Sequence, residues 1–218
     1  MTRLRSGQTF LFQGDSITDA GRSTADNAML GAGYAAMVAA WHAAAHPECD
    51  VTFLNRGVSG NRAKDLRVRW REDCLDLGPD WVSILIGIND TWRRYDSNDP
   101  TSIVDYAAAY RDILERTRDT LGARLILMEP FVLPVPEDRR AWREDLDPRI
   151  HVVRELAREF GALLVPLDGL FARAATHRPP EFWAPDGVHP SPAGHALIAQ
   201  GVLGCLGSVA ERCGRDGR

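Results

Sequence analysis

The run Thr9-Phe10-Leu11-Phe12-Gln13-Gly14-Asp15-Ser16-Ile17-Thr18-Asp19 decides the reading of this chain. Thr9 to Phe12 is a short apolar run of strand type, and Gly14 ends it with turn chemistry. Four more runs have the same form. They are Val51-Thr52-Phe53-Leu54, ended by Asn55-Arg56-Gly57; Trp81 to Ile86, ended by Gly87; Leu125 to Met128; and Leu163-Leu164-Val165. Stretches of helical character separate them: Ala35 to Ala45, a polar segment within Ala63 to Leu77, Ile103 to Leu121, Ile150 to Phe160 and Pro192 to Val209. Between Ile103 and Leu121 the apolar residues fall at Ile103, Tyr106, Ala107, Tyr110, Ile113 and Leu114, a helical period. Gly161 is placed to cap one helix and Pro192 to open the last. A Pro-rich loop runs from Pro130 to Pro136. Strands that are apolar throughout, alternating with helices, predict a five-stranded parallel sheet covered by helices on both faces.

Composition narrows the function classes. The 218 residues suffice for one well-buried domain over residues 1–218, and no internal repeat or linker divides them; the tail 214–218 is expected to be frayed. Hydrophobic residues at 44% and charged residues at 26% exclude disorder as the dominant state. The balance of 26 Lys+Arg against 30 Asp+Glu gives −4 with no basic stripe, so a nucleic-acid partner is not expected. Cys49, Cys74, Cys205 and Cys213 form no C-x-x-C pair, so neither a metal site nor a disulfide framework is expected. No apolar run approaches a membrane span or a signal-peptide core, which predicts a cytoplasmic protein without membrane contact.

In parallel sheets reactive residues lie beyond the carboxyl ends of the strands. There stand Gly14-Asp15-Ser16, then Asn55 to Asn61 with Gly60, then Gly87-Ile88-Asn89-Asp90. Asp186-Gly187-Val188-His189 follows near the C-terminus, bounded by Pro185 and Pro190. Each element has an ordinary reading. Ser16 can be a helix N-cap, Gly60 and Asn89 turn residues, and His189 a loop histidine. Together they supply a hydroxyl, a backbone N–H beside glycine, an amide, a carboxylate and an imidazole, the parts of a serine hydrolase. Two rival motifs fail. Gly57-Val58-Ser59-Gly60-Asn61 has Asn61 where a nucleophile elbow needs glycine, and no phosphate-binding glycine loop is present. Asp15 reads as a turn-stabilising carboxylate, and His195 as structural.

These four blocks, in this order and covering Gly14 to His195, resemble the SGNH hydrolases, the GDSL esterase/lipase family. Ile17 stands where that family's name-giving motif has leucine. The resemblance implies a flavodoxin-like three-layer α/β/α sandwich. By position it implies Ser16 as nucleophile, His189 as base and Asp186 as its orienter. It also implies an oxyanion hole made of the Ser16 and Gly60 backbone N–H groups and the Asn89 side chain, with no cofactor and no metal.

Gly87 to Arg93 and Phe182 to His189 look like a subgroup of intracellular carbohydrate esterases, including acetylxylan esterases. That subgroup suggests an acetylated-sugar substrate and a homo-oligomer. Trp92 and Trp183 flank the site residues in sequence and are expected to bind substrate by stacking on sugar rings; the competing reading places both in the core. Two alternatives remain at this point. One is a lysophospholipase- or thioesterase-like lipolytic acylhydrolase. The other is a non-catalytic flavodoxin-like binding domain, which would leave the triad atoms out of hydrogen-bonding reach.

Overall fold

Strand β1 (Thr9–Gly14) is buried along almost its whole length. Side chains of a strand alternate between two faces. Phe10 and Phe12 accordingly join one buried cluster while Leu11 joins the other. A strand covered on both faces must be apolar at consecutive positions, which is the pattern the sequence carries. The computed structural model describes residues 3–23, 26 and 28–207. In it, β2 (Thr52–Asn55), β3 (Trp81–Leu85), β4 (Arg124–Met128) and β5 (Leu163–Val165) complete a parallel sheet with the order β2-β1-β3-β4-β5. Phe10 stands opposite Phe53 on one side and Trp81 on the other.

Helices α2 (Tyr34–Ala45), α7 (Leu167–Ala175) and α9 (Pro192–Leu206) cover the face that carries Phe10, Phe12, Ile126 and Met128. Helices α3 (Ala63–Asp73) and α5 (Ile103–Leu121), with the C-terminal half of α6 (Arg143–Glu159), cover Leu11, Val82, Ile84 and Leu127. This is the three-layer, flavodoxin-like sandwich. The chain leaves β1 for β2 and then crosses back over β1 to β3, so strand order reverses at β1. Sites in such sheets form at that reversal, outside the carboxyl ends of the strands. Among the described residues no helix is long and apolar enough to cross a membrane.

The structure departs from the sequence reading at several boundaries. β2 is one residue later than Val51–Leu54, whereas α3 falls within Ala63 to Leu77 as read, ending at Asp73 before a 3-10 turn over Leu75–Leu77. α6 starts at Arg143, not Ile150, with Pro148 inside it. Proline removes one backbone donor and signals a helix limit, yet here side chains secure the turns before it. Arg143 holds Asp168 by two hydrogen bonds, and Arg149 pairs with Asp145. Three helices have no counterpart in the sequence reading: α4 (Ile88–Asp96), α7 and the short α8 (Pro180–Trp183). The last helix closes at Leu206 with Gly207 at φ +69°. Its expected extension to Val209, the tail 214–218 and Cys213 lie outside the described residues; Cys49, Cys74 and Cys205 are free thiols.

Candidate active site

The turn after β1 separates two roles that neighbouring polar residues could have shared. Asp15 is the N-cap of α1 (Ser16–Asp19), its Oδ1 accepting the Ile17 N–H at 3.0 Å. The Ser16 hydroxyl is thereby spared capping, and its Oγ lies 2.9 Å from His189 Nε2. Asp15 is itself fully buried, and desolvation pushes its pKa up to about 7 against the hydrogen bond from Ile17.

His189 is presented by a tight turn between α8 and α9. Asp186 Oδ1 accepts the N–H groups of Val188 at 3.0 Å and His189 at 2.7 Å, while Oδ2 lies 2.7 Å from His189 Nδ1. Leu133 N donates to Gly187 O at 2.8 Å and fixes the turn to the loop after β4. A carboxylate only accepts, so Nδ1 carries the proton and Nε2 is left to accept from the Ser16 hydroxyl. The hydrogen bond with Asp186 raises the imidazole pKa above its usual value. Burial opposes that rise, the charges of Asp186 and Asp15 add to it, and the Arg139 guanidinium works against it. Burial draws the Asp186 pKa upward, but the His189 ring and the two backbone N–H donors outweigh it and hold the carboxyl well below the carboxylate range.

Two further segments bring donors to the reversal point. After β2, Asn61 N donates to Val58 O at 3.2 Å and closes a turn with Gly60 third, at φ +83°. A Cβ on Gly60 would meet nothing within 4 Å, so conformation and not space selects glycine. After β3, Asn89 lies in the first turn of α4, buried, and its Nδ2 donates to Asn61 O at 3.1 Å. An amide nitrogen carries two hydrogens, so one is left for another acceptor. Among the described residues no backbone carbonyl takes up the N–H of Ser16 or Gly60.

The Trp92 ring is 5.8 Å from that of His189, which places it beside the triad. Trp183 is half-buried, packs edge-on to Phe182 with centroids 5.0 Å apart, and lies against the core cluster under α9. Trp92 packs against the same cluster, so both rings have core neighbours, and Trp92 also has the His189 ring beside it. His195 Nδ1 accepts the Tyr34 N–H at 3.2 Å, and burial lowers its pKa to about 4, in keeping with a structural role.

Three contributors escaped the sequence reading. The Arg139 guanidinium lies 4.6 Å from the centroids of both Trp92 and Trp142, and Trp142 stacks on Tyr95 at 5.2 Å. Arg139 and Trp142 belong to a 3-10 turn over Glu137–Trp142, too short and polar for periodicity to mark. Asn55 ends β2, and its side chain donates to Thr18 O at 2.7 Å and Leu30 O at 2.8 Å while accepting from Gly57 N at 2.8 Å. A polar residue closing an apolar strand at the reversal point was its only signal.

A family model described as the GDSL-like lipase/acylhydrolase family matches residues 12–197. An acetylxylan esterase of Geobacillus stearothermophilus is 37% identical over 213 residues, covering 94% of this chain and 96% of that enzyme. A crystal structure of an acetylxylan esterase from the same organism superposes with a TM-score of 0.88 at 36% identity, covering 96% of this chain and 100% of the other. An alpha/beta hydrolase from the metagenome of Lake Arreo gives 0.89 at 33% identity, covering 97% and 100%.

Proposed function

Since the chain belongs to the GDSL-like lipase/acylhydrolase family and is a carboxylic ester hydrolase, we propose that it removes acetyl groups from sugars such as xylo-oligosaccharides, with Ser16 as nucleophile. The observation that carries this reading is the relay itself. Ser16 Oγ stands 2.9 Å from His189 Nε2, and His189 Nδ1 2.7 Å from Asp186 Oδ2. Both spans are within catalytic hydrogen-bond range.

In the first half-reaction Ser16 Oγ attacks the ester carbonyl carbon as its proton passes to His189 Nε2. The carbonyl oxygen becomes an oxyanion, held by the Ser16 N–H, the Gly60 N–H and the free Asn89 Nδ2 hydrogen. Collapse breaks the bond to the sugar oxygen, which leaves with the proton from Nε2, and the acetyl group stays on Ser16. Water then gives its proton to Nε2 and attacks the acyl carbon; acetate departs and Ser16 recovers its proton. Asp186 keeps Nδ1 protonated throughout and stabilises the transient imidazolium.

The sugar assignment draws support from the Geobacillus stearothermophilus relative, named for acetylxylan. The acetyl preference draws support from the Trp92 indole beside His189. That indole packs against Trp142, ring centroids 5.4 Å apart, and lies under Arg139. A methylene that fits a pocket gains about 0.8 kcal/mol of burial. One that presses on a fixed wall costs about 1–3 kcal/mol. Measured over p-nitrophenyl esters, kcat/KM is expected to fall from acetyl to butyryl and nearly vanish at octanoyl. Trp92→Ala is expected to move the optimum to longer chains. A wild-type optimum at octanoyl would replace this reading with a lipolytic one. Release of acetate from acetylated xylo-oligosaccharides, set against phospholipids and acyl thioesters, tests the sugar directly.

The pH profile follows from the imidazole. His189 accepts a proton only when neutral, and Asp186 raises its pKa. The rate is therefore expected to climb with pH through a midpoint above the ordinary histidine value of about 6.5. A midpoint at or below that value would show that the Asp186 hydrogen bond is not maintained in the working enzyme.

A further inference from the structure

The turn that carries Gly60 is gripped from both flanks. On one flank Asn61 O accepts from Asn89 Nδ2 at 3.1 Å, and Asn61 Oδ1 accepts from Arg69 Nε at 2.7 Å. On the other flank stands Ser59. Its Oγ donates to Asp19 Oδ2 at 2.8 Å, and its backbone N–H donates to the same oxygen at 3.2 Å. Asp19 is the last residue of α1, which Ser16 opens. Its other oxygen, Oδ1, accepts the Arg22 N–H at 3.2 Å, and Arg22 Nε donates to Gly57 O at 2.7 Å. The two segments also touch backbone to backbone. A Cβ on Gly57 would sit 2.3 Å from Asp19 N and 2.7 Å from Thr18 C.

We infer that Asp19 and Ser59 form a latch that holds the Gly60 N–H in register with Ser16, making both positioning residues of the oxyanion hole. Ser59 is exposed, yet both its donors converge on one side-chain oxygen of the helix that bears the nucleophile. Ser59 precedes Gly60 and Asn61 follows it, so the donor lies between its two anchors. Without the latch the turn keeps its hold through Asn61 and through the Val58 N–H, which donates to Gly14 O at 3.1 Å, but Ser59 and Gly60 lose their side-chain tie to α1. Donors placed for a developing charge lose effect steeply with displacement of the order of 1 Å. This inference rests on the triad and oxyanion hole of the proposed function, and it adds what sets the position of one donor.

The test compares Asp19→Ala, Asp19→Asn, Ser59→Ala, Ser16→Ala and Asn89→Ala on an acetyl ester. Asp19→Ala is expected to lower kcat roughly 10- to 100-fold with KM little changed. Ser59→Ala, an exposed change that leaves the fold intact, is expected to lower kcat in the same sense but less. Asp19→Asn keeps an oxygen for Ser59 and is expected to recover most of the loss. Affinity for a boronic acid that mimics the tetrahedral adduct is expected to fall in step with kcat. Asp19→Ala in the Asn89→Ala background is expected to cost less than in wild type, because the hole is already impaired. Wild-type kcat in both Asp19→Ala and Ser59→Ala, with Ser16→Ala inactive, would overturn the latch and leave the triad standing. A loss confined to Asp19→Ala, or one in KM alone, would overturn it as well. An active Ser16→Ala enzyme would instead bring down the triad reading.

Discussion

Ser16→Ala is expected to lower turnover of an acetyl ester by roughly 10⁴–10⁶ with thermal stability unchanged, and His189→Ala to lower turnover by a similar factor. The two residues act on one proton, so the double variant is expected to be no worse than either single one. The stability half of the prediction rests on the turn after β1. Asp15 caps α1, so Ser16 contributes only a partly exposed hydroxyl whose one hydrogen bond is to His189. Losing it leaves no buried group unpaired, since His189 is half exposed and water can reach Nε2. A melt measured beside the kinetics separates loss of the nucleophile from loss of the fold. A serine-directed phosphonate is expected to label Ser16 in wild type and nothing in Ser16→Ala. Labelling at Ser59 would sink the assignment, and the structure says why it is not expected. Ser59 donates its hydroxyl to Asp19, whereas the Ser16 hydroxyl meets the His189 imidazole.

The sheet was legible because its strands are buried on both faces. Runs such as Phe10 to Phe12 and Trp81 to Ile86 need apolar residues at every position, and few other environments do. The helices were legible only where one apolar stripe ran long enough, as from Ile103 to Leu121. α4 shows the limit. Ile88, Trp92 and Tyr95 do stand at helical spacing, but over nine residues. Between them lie Asn89, Asp90, Arg93 and Arg94, whose side chains bond to Asn61 O, to the Ala63 N–H, to Asp96, and to Glu144 and Asp145 of α6. The start of α6 was hidden in the same way, by a proline whose local effect is offset by the Arg143 pair with Asp168 and the i,i+4 pair of Arg149 with Asp145. The blocks of the candidate site were readable because each follows a strand end, and the topology gathers strand ends. What the sequence did not carry is contact across segments. Nothing in the order of residues says that Arg139 lies over Trp92, that Asp19 meets Ser59, or that the Trp92 ring lies beside His189.

Asn89→Ala carries the second large effect, an expected 10²–10³-fold loss in kcat, about 2.7–4 kcal/mol in the barrier, with KM nearly constant. The reason lies in how the amide is held. One Nδ2 hydrogen is committed to Asn61 O at 3.1 Å, which fixes the side-chain plane, and the other is left to meet charge that appears only as the carbonyl carbon becomes tetrahedral. A donor oriented in advance in a buried position adds little to ground-state binding and much to the transition state. Alanine removes that donor and the tie to the Gly60 turn together, so the loss is expected near the upper end of the range. Asn89→Asp separates a donor role from mere space-filling. It keeps the shape but replaces the NH₂ with an acceptor, setting like charge against the oxyanion and an acceptor against Asn61 O. If Asn89 is an oxyanion donor, Asn89→Asp is worse than Asn89→Ala in kcat. If Asn89 only fills space in the first turn of α4, the isosteric aspartate is the milder of the two. A raised KM with unchanged kcat in Asn89→Ala would assign the amide to ground-state binding and take it out of the oxyanion hole.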